Sequence, residues 1–219
     1  GDPVAGADAA VAADDSLVLG HIYRAYLQLY GTTPEGRAAA GEILKRLDEP
    51  VMGERELHHL RAARHWAEGD WEATTRSLER ALLYHPRDLL ALKVAQDLYF
   101  FLGNRLELRD TAARVLPAWT RDRPGWGYVQ GIYAFGLEEN ADYRRAESRA
   151  RAALDHNPKD VWSVHALAHV INDKLGNVGK TVFHTDPVEA DASDQVASLQ
   201  TLVLVGAAPF AALLIALYS

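Results

Sequence analysis

His165 and His169 stand four residues apart, the spacing that puts two imidazoles on one face of a helix and within reach of a single metal ion. Glu138 and Glu139 could add a carboxylate from a neighbouring helix. Such a set could hold a divalent metal with a reactive water. The same imidazoles could instead grip a small ligand or a protein segment, or serve as buried structural groups bonded to adjacent helices. The HxxxH pair lacks the intervening Glu that makes the metalloprotease motif informative, and two of nine His residues often fall at this spacing by chance. His165 and His169 therefore stand as metal candidates only. No catalytic residue, metal or cofactor is assigned.

The surrounding sequence reads as helical. The chain has 219 residues, 48% hydrophobic and 24% charged, enough for a sizeable core and too apolar for general disorder. Its formal charge is −7 and its Lys and Arg residues are scattered, which argues against nucleic acid as a partner. The absence of Cys excludes disulfides and thiolate chemistry. No export signal opens the chain; the Gly1-Asp2-Pro3 start suggests a processed or truncated end.

A repeat organises the helices. Gly69-Asp70-Trp71-Glu72-Ala73, followed by Leu78, Ala81-Leu82 and Pro86, has the layout of the second helix of a tetratricopeptide unit. The layout returns in Ala141-Asp142-Tyr143, followed by Ala146, Ala150, Ala153-Leu154 and Pro158. Leu102-Gly103-Asn104 opens a weaker copy, at about the 34-residue period of this repeat. An aromatic after the turn plugs between helices, Ala allows close approach, and Pro stops the helix. Upstream, Asp15-Ser16 is expected to cap a helix running to Tyr30, Gly31 to end it, and Thr33-Pro34 to start the next. Residues 1–14 would be the second helix of an earlier pair. No segment alternates with period 2, so essentially no sheet is expected.

The stretch from Gly127 to Glu139, GYVQGIYAFGLEE, together with Trp162-Ser163-Val164-His165-Ala166-Leu167-Ala168-His169-Val170, resembles the tetratricopeptide repeat protein 38 family. The Gly-Asp-Pro opening and the Trp126-Gly127 turn share the resemblance, which covers roughly residues 1–172. It implies a longer α-solenoid of which this chain holds a middle portion, and no established enzymatic activity. Residues 173–219 depart from the family pattern.

The expected fold is thus all-α: a tetratricopeptide-like solenoid of antiparallel helix pairs over 1–172, an irregular acidic linker over 173–198 and one apolar helix over 199–218. In such a solenoid the first helix of each pair lines a concave groove. On that face the sequence puts Tyr128, Phe135, Glu138 and Glu139 from one helix and Trp162, His165, His169, Asn172 and Asp173 from the next. Lys93, Asp97, His59 and Trp66 extend the groove with looser register. Val164, Leu167, Ala168 and Ile171 form the expected packing stripe of the last helix. His58, His59 and His65 read as structural, and Gly176 to Thr181 lacks the spacing of a phosphate loop.

Leu199 to Tyr218 is apolar except for Gln200 and Thr201, and as a helix would span roughly 30 Å, the thickness of a bilayer core. A membrane anchor is expected there, a capping helix or subunit interface being the alternative. The acidic flank leaves orientation open. The sequence points to a scaffold, membrane-associated or cytoplasmic, that binds a protein partner in its groove and could serve as an accessory subunit of a hetero-oligomeric complex; a metal-dependent enzyme or small-ligand binder using His165 and His169 with Glu138 and Glu139 is the other reading.

Overall fold

The computed structural model describes residues 2–47 and 52–177, which contain ten α-helices and, among the described residues, no strand. The all-α expectation holds. Two compact units divide after Leu47.

The first unit contains α1 (Pro3–Ala13), α2 (Val18–Tyr30) and α3 (Pro34–Lys45), each packed on the next. Asp2 caps α1 by accepting from the Val4 amide, and Thr33 caps α3 by accepting from Gly36. Asp15 and Ser16 do not cap α2. Its N-cap is Leu17, with no side-chain bond, because Asp14 Oδ1 takes both the amide and the hydroxyl of Ser16 in a local turn. Gly31 does end α2, yet the left-handed residue is Thr32, at φ 52°. Ile22, Ala25, Tyr26, Ala40 and Leu44 make the core.

The second unit contains α4 (Glu54–Glu68), α5 (Trp71–Tyr84), α6 (Leu89–Phe101), α7 (Arg105–Val115), α8 (Trp126–Glu139), α9 (Tyr143–His156) and α10 (Val161–Lys174), with a 3-10 turn at Leu116–Ala118. Each helix packs on its successor, and α8 also touches α6 and α10. The turns α4–α5, α6–α7 and α8–α9 share one construction. A left-handed residue ends the first helix (Gly69 φ 88°, Gly103 φ 68°, Ala141 φ 58°), and the next residue caps the second. Asp70 accepts from Ala73, Asn104 from Glu107 and Asp142 from Arg145. The repeated Gly-Asp and Gly-Asn signals are therefore turn-and-cap units.

The return turns from α5 to α6 and from α9 to α10 also correspond. Asp88 and Asp160, each two residues after a Pro, cap α6 and α10 and are almost fully buried. Asp88 is bound by Arg55 Nε at 2.6 Å and by His59 Nε2 at 2.9 Å. At the matching place in the other pair stands Gly131, where a Cβ would lie 2.0 Å from Asp160 Oδ2. His59 is 0% exposed and Trp66 5% exposed, so both belong to the interior and not to the extended groove expected for them.

Among the described residues no helix is long and apolar enough to cross a membrane. Of the linker expected over 173–198, Asp173 and Lys174 instead close α10, and its remainder from Val178 and the apolar segment Leu199–Tyr218 lie outside the described residues.

Candidate functional site

α8 carries three glycines and is buried on nearly every side, from Gly127 through Glu138. Glycine inside a helix costs about 1 kcal/mol relative to alanine, so each needs a local reason. A Cβ on Gly136 would lie 2.7 Å from the α7 backbone at Leu108 and Arg109. Gly131 admits Asp160 and Ser163 at the start of α10. The approach at Gly136 seats α7 on α8 and that at Gly131 lets α10 lie along α8, with Ala134, Ala150 and Ala166 forming a small-residue seam between α8, α9 and α10.

That seam fixes the rotation of α10. Its buried residues are Ser163, Ala166 and Val170. The stripe of Val164, Ala168 and Ile171 is exposed, Val164 by 50% and Ile171 by 53%, while Leu167 is only partly buried. The stripe that the sequence marks for packing is thus not the packing face: a helix that approaches glycine and alanine closely turns its small residues inward. Trp162, His165, His169 and Asn172 follow one another along a half-buried face.

Phe135 of α8 is the centre of the cluster beneath that face. Its ring lies 4.7 Å from Trp162, 5.4 Å from His165 and 5.5 Å from Phe100 of α6, centroid to centroid. Being fully buried, Phe135 is the floor of the site and not the contact surface expected from sequence. Lys93 Nζ lies 5.1 Å from the Trp162 ring centroid and pairs with Asp97. The His165 and His169 rings are 4.6 Å apart.

Glu138 sits one turn beyond Phe135 with its side chain 5% exposed. Its Oε1 lies 3.3 Å from His169 Nδ1, and its Oε2 lies 4.0 Å from His165 Nε2. Oε2 is buried without a hydrogen-bond partner. Burial, reinforced by the negative charge of Glu139, pushes the Glu138 carboxyl up to about 8. Burial and the nearby His169 push His165 down to about 4, so its imidazole is neutral at neutral pH. The site is a buried acid held among aromatic and imidazole rings, with His169 as its nearest neighbour. An oxygen in that state suits an incoming positive charge.

The structure thus brings together Phe135, Glu138, Trp162, His165 and His169, with Glu139 close enough for its carboxylate to join Glu138 and His165. Tyr128 is exposed, two turns before Phe135 on α8. Asn172 serves the end of α10, its carbonyl and side-chain oxygens accepting from Asn177. Phe100 belongs to the cluster but reads in sequence as ordinary inter-helix packing; its spacing from Lys93 on α6 was the available signal. A separate hollow of about 650 Å³ on α5, α6 and α7 is bordered by Glu79, Tyr99 and Arg114. Glu79 there already accepts from Tyr99, Thr111 and Arg114.

No family model and no solved structure matches the chain.

Proposed function

We propose that this chain is a scaffold of the tetratricopeptide type, related to the tetratricopeptide repeat protein 38 family, whose first-of-pair helices α6, α8 and α10 grip a partner protein segment in a shallow groove. The observation that carries the reading is the half-buried row Trp162, His165 and His169, seated on Phe135 and flanked by Lys93. Aromatic groups fixed in place by packing below and open above are the groups that dominate protein interfaces. Recurrent helix pairs with matching turns and caps support the solenoid, since each pair needs a neighbour to cover its apolar face.

The function so defined is recognition. Nothing in the cluster supplies a nucleophile activated by an adjacent base. The test begins with proteins that co-purify with the full chain, identified by mass spectrometry, followed by affinity measurement of the best partner. Trp162→Ala is expected to weaken that partner about tenfold or more, the size of an interface hot spot. Unchanged affinity in Trp162→Ala and His169→Ala would overturn the groove assignment.

A further inference from the structure

We infer that Glu138, Glu139 and His165, with His169 as an additional donor, form a binding site for one divalent transition-metal ion of the zinc class. This goes beyond the scaffold reading and does not rest on it.

Geometry carries the inference. Two ligand atoms each about 2.0–2.1 Å from a tetrahedral ion lie roughly 3.3 Å apart. Glu138 Oε1 and His169 Nδ1 are 3.3 Å apart. Glu138 Oε2 and His165 Nε2 are 4.0 Å apart, a separation that a modest side-chain movement closes. One ligand atom from each of Glu138, Glu139 and His165 lies within 4.8 Å of the others. Independently, Oε2 of the buried Glu138 has no hydrogen-bond partner, and its side chain is directed toward the two imidazoles. Leaving such an oxygen unsatisfied costs about 1–3 kcal/mol, a penalty that a bound cation removes.

The donor set selects the ion class. Imidazole nitrogen with carboxylate oxygen suits zinc, cobalt and nickel, whereas calcium and magnesium take oxygen donors almost exclusively. The ligands come from two helices whose spacing is fixed by Gly131 and the alanine seam, so the site is supported by packed secondary structure and not by loops. His165 and His169 keep side-chain exposures of 26% and 31%, enough for the ion to enter and for water or a partner's donor group to complete its coordination.

The experiment uses the full chain, stripped with chelator and dialysed, and titrated with Co²⁺ followed by its visible d–d absorption, then with Zn²⁺ in competition. One Co²⁺ per chain with tetrahedral-type absorption, displaced by one Zn²⁺, is expected. Glu138→Gln and His165→Ala should each weaken binding by at least about tenfold. His169→Asn is the third variant, and far-UV circular dichroism confirms that each remains helical. No absorption change at micromolar protein overturns the inference. Binding that persists unchanged in Glu138→Gln and His165→Ala also overturns it, because the ion then sits on other histidines. Metal uptake is read on the isolated protein, so its failure leaves partner binding at Trp162 standing, and the reverse holds equally.

Discussion

His59 Nε2 lies 2.9 Å from Asp88 Oδ2, with neither side chain exposed to solvent, and the pair ties α4 to the start of α6. Asp88 receives three donors at once, from His59, Arg55 and the Ala91 amide, the last of these as helix cap. Replacing it by Ala leaves His59 buried without its acceptor and α6 without its cap. The expected loss is about 2–4 kcal/mol, read as a lowered midpoint in urea unfolding. Asp88→Asn should fall between Ala and the native residue.

The same aspartate predicts a pH dependence. Its burial opposes ionisation, but the hydrogen bonds from His59 and Arg55 outweigh it and hold the carboxyl well below the usual aspartate range. A carboxyl depressed in the folded state contributes stability at pH values above its unfolded pKa, about 3.9, and that contribution fades as pH falls through the folded value. The native chain and Asp88→Asn should therefore differ most near neutral pH, and the gap should begin to close below about pH 4 and go on closing through pH 2. A constant gap down to pH 2 would contradict this account.

Ala141 adopts φ 58° at a turn where the two equivalent residues are glycine. A Cβ in the left-handed region is strained, so Ala141→Gly is expected to stabilise the second unit by about 0.5–1 kcal/mol despite glycine's greater freedom when unfolded. Gly69→Ala should act in the opposite sense. Urea denaturation of both variants measures the two effects side by side.

Gly131→Ala would put a methyl group 2.0 Å from Asp160 Oδ2 and 2.9 Å from Ser163 Oγ. Relief requires α10 to move away from α8, at an expected cost of about 1–3 kcal/mol. Because Trp162 rests on Phe135 across that contact, its fluorescence should shift in the folded variant. A destabilised protein with native Trp162 emission would mean that the strain is absorbed elsewhere.

Much of this architecture is legible in the sequence because turns and caps are local. Gly69-Asp70, Gly103-Asn104 and Ala141-Asp142 identify themselves through the residue types that a left-handed turn and an N-cap require. The rotation of α10 is not local. Val164, Leu167, Ala168 and Ile171 make the more hydrophobic stripe, but Gly131 and Ala134 on the neighbouring helix admit Ser163 and Ala166 in their place. His165 and His169 are placed beside Glu138 as their spacing and the neighbouring helix suggest. The burial of Phe135 and Glu138 could not be read from sequence, since it comes from Trp162 and the imidazoles folding over them.

The apolar run Leu199–Tyr218 carries the sequence-based expectation of a membrane anchor. Alkaline carbonate extraction of native membranes should then leave the full-length protein in the pellet. Complete release into the supernatant would overturn that expectation.

Glu138 lies in the last turn of α8, the helix enclosed on nearly every side by its neighbours. A glutamate on an open surface surrenders about 1.5–2 kcal/mol of rotamer freedom when it captures a ligand. Here that freedom is surrendered when the chain folds, so a ligand of the proposed site would meet a carboxyl already held in place, and recognition there would begin from lower entropy than at the exposed acids among the described residues.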